Sequence, residues 1–227
     1  MTELKLFLFD LDGTLVTTGG AGRRALSAAF KQLYGIDGAH EKISLAGRTD
    51  PAIFREILQI CLNRAIENHE VPSIAECYLG HLAQQVRTSN VRALAGVMDF
   101  VERVSRRSDV IAGLGTGNIE RGARLKLEPA GLNPYFKFGG FGSDHEDRAE
   151  MLRYGHRRAE QAADREIAGE NVYVIGDTLL DIAAAKKAGF RCVAVATGLS
   201  SVDVLKGGNP DFIMKDLTEG DKFLEQL

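Results

Sequence analysis

The sequence predicts an α/β protein, a doubly wound parallel sheet with a small helical domain inserted after its first strand. Three observations carry this reading. Short apolar runs that end abruptly on turn residues recur along the chain. Segments with helical periodicity separate them, and such alternation favours a parallel sheet covered by helices on both faces. One stretch, residues 22–92, breaks the alternation, with helical patterns and no convincing strand.

The elements follow in order. Residues 4–9 read as a buried strand, short, apolar and aromatic, that stops on Asp10. Residues 110–114 look similar and end in Gly115-Thr116-Gly117-Asn118. Residues 138–141 form a weaker, glycine-rich strand. Residues 172–175 form a strong one that ends in Gly176-Asp177. Residues 192–196 end in Thr197-Gly198, and residues 212–214 form a last short strand. Helical periodicity covers residues 94–104, 121–130, 150–161 and 181–188, and within the insert residues 23–33, 51–64 and 74–87. The expected division is a core of residues 1–18 and 93–227 and a helical domain of residues 19–92. Gly19-Gly20 and Ala95-Gly96 are its expected hinges. From Lys215 the chain reads as a polar loop and a short helix.

Composition narrows the function classes. The 227 residues suffice for a proper core. The 28 basic and 31 acidic side chains leave a net charge of −3, against a general nucleic-acid binder. No apolar stretch is long enough to span a bilayer. Glu3, Asp10 and Asp12 interrupt the N-terminal apolar run, so it does not read as a signal peptide. Cys61, Cys77 and Cys192 are odd in number and widely spaced, as isolated reduced thiols are. A cytoplasmic protein is expected. The five histidines show no metal-ligand spacing.

Ligands of open parallel sheets bind at the carboxyl ends of the strands. Those ends carry Asp10 and Asp12, then Thr116, Gly117 and Asn118, then Asp177 with Asp181 one helical turn onward. The loop after the third strand adds Ser143, Asp144, Asp147 and Arg148. Clustered carboxylates repel one another unless a cation neutralises them, and hard oxygen ligands suit Mg²⁺. Thr116, the amides around Gly117 and the Arg148 guanidinium instead suit an anion with several oxygens. A magnesium ion beside an oxyanion cradle points to a phosphate group. Asp10 can then attack phosphorus, and Asp12 can serve the leaving alcohol and the incoming water.

"DLDGT" after an apolar strand, "TGN" after a second and "GDTLLD" after a later one resemble, in order and spread, the haloacid dehalogenase superfamily of phosphohydrolases. The helical block resembles that family's helical cap of the first type, and the most similar subgroup contains the phosphoglycolate phosphatases. The resemblance implies a Rossmann-like core and a Mg²⁺-dependent phosphatase acting on a small phosphate monoester, with no nucleic-acid or membrane partner. It makes Asp10 the nucleophile and a metal ligand, and Asp12 the general acid/base with its backbone carbonyl on the metal. Thr116, Gly117 and Asn118 would bind phosphate. Asp177 would ligate magnesium, and Asp181 would do so directly or through water. Arg148 is the best match to the third-motif cation, since Lys126 and Lys137 follow the second motif too soon. Asp144 and Asp147 remain loop acids. In the cap, Arg48 of "LAGRTD" would meet an anionic group of the substrate, and Thr49 or Asp50 would cap the helix starting at Pro51.

The departures matter too. Asp12 disfavours carbon–halogen chemistry, since the dehalogenases of the superfamily lack that second acid. The stretch after the first motif has neither the histidine of the sugar phosphomutases nor, before Lys31, the lysine of the phosphonate-cleaving branch. The alternatives are a phosphomutase or phosphonatase on the same scaffold, or a regulatory binding protein with an incidental site.

Overall fold

The computed structural model describes residues 3–67 and 69–227. In chain order the elements are β1 (Lys5–Phe9), β2 (Val16–Thr17), α1 (Ala21–Tyr34), α2 (Asp50–Leu62), α3 (Glu70–Thr88), β3 (Arg92–Ala93), α4 (Val97–Ser105), β4 (Val110–Thr116), α5 (Glu120–Leu127), β5 (Gly139–Phe141), α6 (Arg148–Ala163), β6 (Val172–Gly176), α7 (Leu179–Ala188), β7 (Arg191–Val195), α8 (Val202–Gly207), β8 (Phe212–Met214) and α9 (Gly220–Leu224).

Six of the strands form one sheet in the order β5-β4-β1-β6-β7-β8, every pairing parallel. The predicted doubly wound α/β fold is therefore present. β1 runs through the middle of the sheet, and its sequence explains why. Phe7 and Phe9 face one side, where they meet Phe100 of α4, Phe136, Tyr173 and Phe223 of α9. Leu6 and Leu8 belong to the opposite core, with Met151 and Leu152 of α6 and Ile182 of α7. A strand buried on both faces is continuously apolar rather than alternating. β4 and β6 flank β1 on its two sides, so the chain turns opposite ways out of the central strands. That switch point opens a crevice at their carboxyl ends.

The helices α1, α2 and α3 bury a core of their own. Ala25, Leu26 and Phe30 of α1, Phe54 and Ile57 of α2, and Tyr78 and Leu82 of α3 are packed together there. Phe54 lies 6.2 Å from Phe30 and 6.0 Å from Tyr78, centroid to centroid. Apolar residues three and four apart give each helix its inward stripe. Gly35, in the left-handed conformation at φ 70, terminates α1. No helix among the described residues is long and apolar enough to cross a membrane.

Two local expectations need correction. Val16 and Thr17 pair antiparallel with Ala93 and Arg92, so a short ribbon, missed as too brief for a periodicity, joins the two crossings between sheet and helices. Gly96 lies beyond that ribbon, and a side chain there would collide with Leu217 and Thr218. Neither Thr49 nor Asp50 caps α2 with its side chain. The Thr49 hydroxyl donates to the Glu146 carbonyl (3.1 Å), and Asp50 accepts the Ile119 N–H (2.9 Å) at the start of α5.

Candidate active site

The crevice is a cavity of about 510 Å³ between the strand ends and α1–α3. β1 delivers Asp10 to its floor. The Asp10 backbone N–H still donates to Ile175 O (2.8 Å), so the strand register holds its carboxylate in place. The residue is 6 % exposed. Its carboxylate accepts no hydrogen bond among the described residues, and its nearest cation is Arg148 Nη2 at 3.8 Å. Burial, then the charge of Asp181, hold the Asp10 carboxyl well above the usual carboxylate range, with Arg148 pulling the other way.

The following residues explain the rest of the first motif. Gly13 adopts φ +85, and a Cβ there would come within 2.6 Å of Asp177 Oδ2. Only glycine combines that conformation with that approach. Thr14 Oγ1 donates to Asp177 Oδ1 at 3.1 Å, and Thr197 Oγ1 donates to the Gly13 carbonyl at 2.5 Å. Burial, then Asp181, push the Asp177 carboxyl up to about 7.

Oxygens of Asp10, Asp177 and Asp181 lie within 4.8 Å of one another, all three residues being buried. Three buried, crowded carboxylates with hard oxygen donors fit a divalent cation such as Mg²⁺. Asp181 differs from the other two, because both its oxygens are engaged. Its Oδ2 accepts from Thr178 N (3.0 Å) and Oγ1 (2.6 Å) in a capping box that starts α7, and its Oδ1 accepts from Arg148 Nη2. The residue is fully buried, so it is not a solvated acid at a helix start.

Arg148 opens α6. Burial works against its charge, but Asp181 and Asp10 outweigh it, so the guanidinium stays protonated. Its Nε is buried without a partner. A Cβ at Gly117 would lie 2.9 Å from Arg148 Nη1 and would collide with the carbonyl of Arg48. Thr116, at the end of β4, is fully buried, and its Oγ1 accepts from Asn118 N (3.3 Å) and Nδ2 (2.9 Å). Asp10, Asp12, Thr116, Gly117, Asn118 and Arg148 thus share one cavity wall, with Asp177 beside them.

Residues 7–195 match the sequence profile of the haloacid dehalogenase-like hydrolases, over most of the chain. The chain belongs to this family. Its relatives include Pyrophosphatase PpaX of Oceanobacillus iheyensis, 25 % identical over 97 % of this chain and 99 % of that protein. A probable phosphatase, IndB, of Dickeya dadantii is 26 % identical over 94 % of this chain and 90 % of its own. Among solved structures, a protein from Clostridium acetobutylicum, described as a predicted phosphatase, superposes with a TM-score of 0.73 at 17 % identity, covering both chains completely. A protein from Haemophilus somnus, described as a predicted phosphoglycolate phosphatase, superposes at 0.71 with 18 % identity over 99 % of each chain.

Within this hydrolase, Arg48 lies on the cavity wall, in the loop before α2, and is paired with Glu56 of α2. Asp144 takes a two-pronged bond from Arg158, and Asp147 caps α6 through Ala149 N (2.9 Å). Both are structural, as expected of loop acids. Lys137 is exposed. Lys126 is the residue that sequence reasoning set aside and that the hydrolase brings into its site. Its Nζ donates to Asp12 Oδ2 and to Asn118 Oδ1, each at 2.6 Å. Burial would lower its proton affinity, yet the charges around it, led by Asp12, more than offset this and keep it an ammonium. One signal was available: Gly122 and Lys126, four residues apart, share one face of α5, and Lys126 follows Asn118 of the preceding turn by about two helical turns.

Proposed function

We propose that this hydrolase is a Mg²⁺-dependent phosphatase that cleaves a small, phosphoglycolate-like phosphate monoester through an aspartyl-phosphate. One observation carries the reading. The buried Arg148 guanidinium faces, from Nη2 at 3.8 Å, the Asp10 carboxylate, which accepts no hydrogen bond among the described residues. A tetrahedral oxyanion seated against both would take charge-assisted hydrogen bonds from the guanidinium beside a free carboxylate oxygen.

Each residue has a place in that chemistry. Asp10 attacks phosphorus and the ester oxygen leaves. Asp12, at the cavity wall, supplies the proton to the leaving alcohol and takes one from the water that attacks the aspartyl-phosphate. Thr116, the Gly117 and Asn118 amides and Arg148 hold the phosphoryl oxygens. Asp10, Asp177 and the Asp12 carbonyl would hold Mg²⁺, with Asp181 reaching it through water. The bound ion would neutralise the crowded carboxylates and the phosphoryl charge. Residues 19–92 act as a cap over the core of residues 1–18 and 93–227, excluding water when closed. The cap wall from α1 offers Gly22, Arg23 and Leu26, which disfavours the mutase and phosphonatase readings, since they need a histidine or lysine there.

Inorganic phosphate release tests the proposal on a panel led by 2-phosphoglycolate and, given the relatives named as pyrophosphatases, inorganic diphosphate. Release should require Mg²⁺, stop with chelator and be absent in Asp10→Asn. No release above the Asp10→Asn control on any ester removes the phosphatase reading.

A further inference from the structure

We propose that Lys126 is a positioning residue that orders both halves of the reaction, the proton donor and the phosphate cradle. This rests on the phosphatase reading above. Lys126 comes from α5, outside the three motifs, and acts through two neighbours.

The first neighbour is Asp12. Both hydrogen bonds to its carboxylate, from Lys126 Nζ (2.6 Å) and Asn118 Nδ2 (2.9 Å), end on the same oxygen, Oδ2. Oδ1 accepts none among the described residues, and Asp12 lines the cavity. A proton on Oδ2 would sit against an ammonium and an amide N–H, so Oδ1 is the atom that carries it. As Asp10 forms its bond to phosphorus and the ester bond breaks, the Oδ1 proton passes to the departing oxygen. In the second step water attacks phosphorus, the bond to Asp10 breaks, and the water's proton goes to Oδ1.

The second neighbour is Asn118. An ammonium has donors only, so the amide must turn its oxygen to Lys126 (2.6 Å). Its Nδ2 then faces Asp12 and Thr116 Oγ1 (2.9 Å). Thr116 Oγ1 receives a further N–H from the Asn118 backbone (3.3 Å), so its own hydrogen is directed away, to the cavity that Thr116 lines. One lysine thereby sets the direction of the phosphate-binding hydroxyl.

All three cap helices enclose this lysine. A Cβ at Gly22 of α1 would come 3.3 Å from Nζ, and Asp50 of α2 and Tyr78 of α3 act on its charge. Lys126 is 5 % exposed, so water does not replace these bonds.

The test compares Lys126→Met and Lys126→Gln with the parent on two esters, an alkyl phosphate and p-nitrophenyl phosphate. The aryl ester's leaving group departs without a proton, so the Asp12 part of the first step is absent from its kcat/KM, which reports the steps up to the aspartyl-phosphate and not the hydrolysis that both esters share. The loss of kcat/KM on the alkyl ester should reach about 100-fold, at least tenfold more than on the aryl ester. Adding Lys126→Met to Asp12→Asn should cost little more on the alkyl ester. Equal losses on both esters, additive with Asp12→Asn, would overturn the proposal, since a general structural defect acts on both alike. A crystal structure of Lys126→Gln, or of Lys126→Met, decides independently of turnover. Asp12 and Asn118 should lose the geometry described above, and their retention of it would also overturn the proposal. Should the parent hydrolyse neither ester, the phosphatase reading fails, while the crystal structure still judges the positioning.

Discussion

Gly13 carries two constraints at once. Its φ of +85 lies in the left-handed region, and its missing Cβ is the space that Asp177 occupies. Thr14 then holds the same aspartate through Oδ1, so two adjacent residues of β1's exit loop place a carboxylate that arrives from β6. Gly13→Ala should cost about 1–3 kcal/mol through backbone strain. It should also push Asp177 out of the carboxylate cluster. The expected outcome is a Tm lowered by several degrees and, if the parent gains stability from Mg²⁺ as the proposed site requires, loss of that gain. A variant that melts as the parent does and still gains stability from Mg²⁺ would show that neither constraint matters.

At the scale of an element, the start of α7 links helix stability to the Arg148 guanidinium. Thr178 and Asp181 form a reciprocal capping box, and the second oxygen of Asp181 holds Arg148. The same carboxylate therefore starts a helix and aims a guanidinium. Gly47 of the cap approaches this corner too, since a Cβ there would lie 2.6 Å from Thr178 Oγ1. Thr178→Ala should remove about 1 kcal/mol, a fall in Tm of about 2–4 °C. It should also raise KM for the phosphate ester as Arg148 loses its fixed partner. Calorimetry and kinetics together check this; an altered Tm with unaltered KM would separate the helix from the cation.

For the whole molecule, the telling feature is how α1–α3 meet the rest of the chain. Asp50 donates its backbone N–H to Gly117 O (2.8 Å) and accepts Ile119 N–H with its carboxylate. Ion pairs Arg55–Glu146 and Arg121–Glu76 lie at the rim. Burial pushes the Asp50 carboxyl up to about 6, Lys126 and the Ile119 N–H pull it back, and Asp12 adds to the rise. In the unfolded chain the group ionises near about 3.9. Between these values the folded state binds more protons, so stability is lost as pH rises through about 4 to 6, and the deficit is complete above. Asp50→Asn, which keeps an acceptor for Ile119, should therefore raise Tm relative to the parent at pH 7–8. The gain should vanish near pH 4. A gain independent of pH would assign it to something other than the Asp50 charge.

The sequence by itself determined the sheet and much of its rim. Apolar runs cut off by Asp10, Thr116 and Asp177 give parallel strands, and parallel strands put those residues at one edge whatever the details of packing. Local chemistry therefore sufficed to bring Asp10, the Thr116 turn and one carboxylate of the cluster to that edge. Tertiary structure alone decided the rest. Lys126 is 114 residues from Asp12, and Asp50 is 69 from Ile119. Periodicity says which face of a helix is apolar, but not which partner that helix meets. Asp50 gave up the cap of its own helix for another's first N–H because docking brought that donor within reach. Asp181 became the anchor of Arg148 because α6 and α7 pack side by side over the sheet. Long-range contacts of this kind are set by the packing of whole elements, which no single segment encodes.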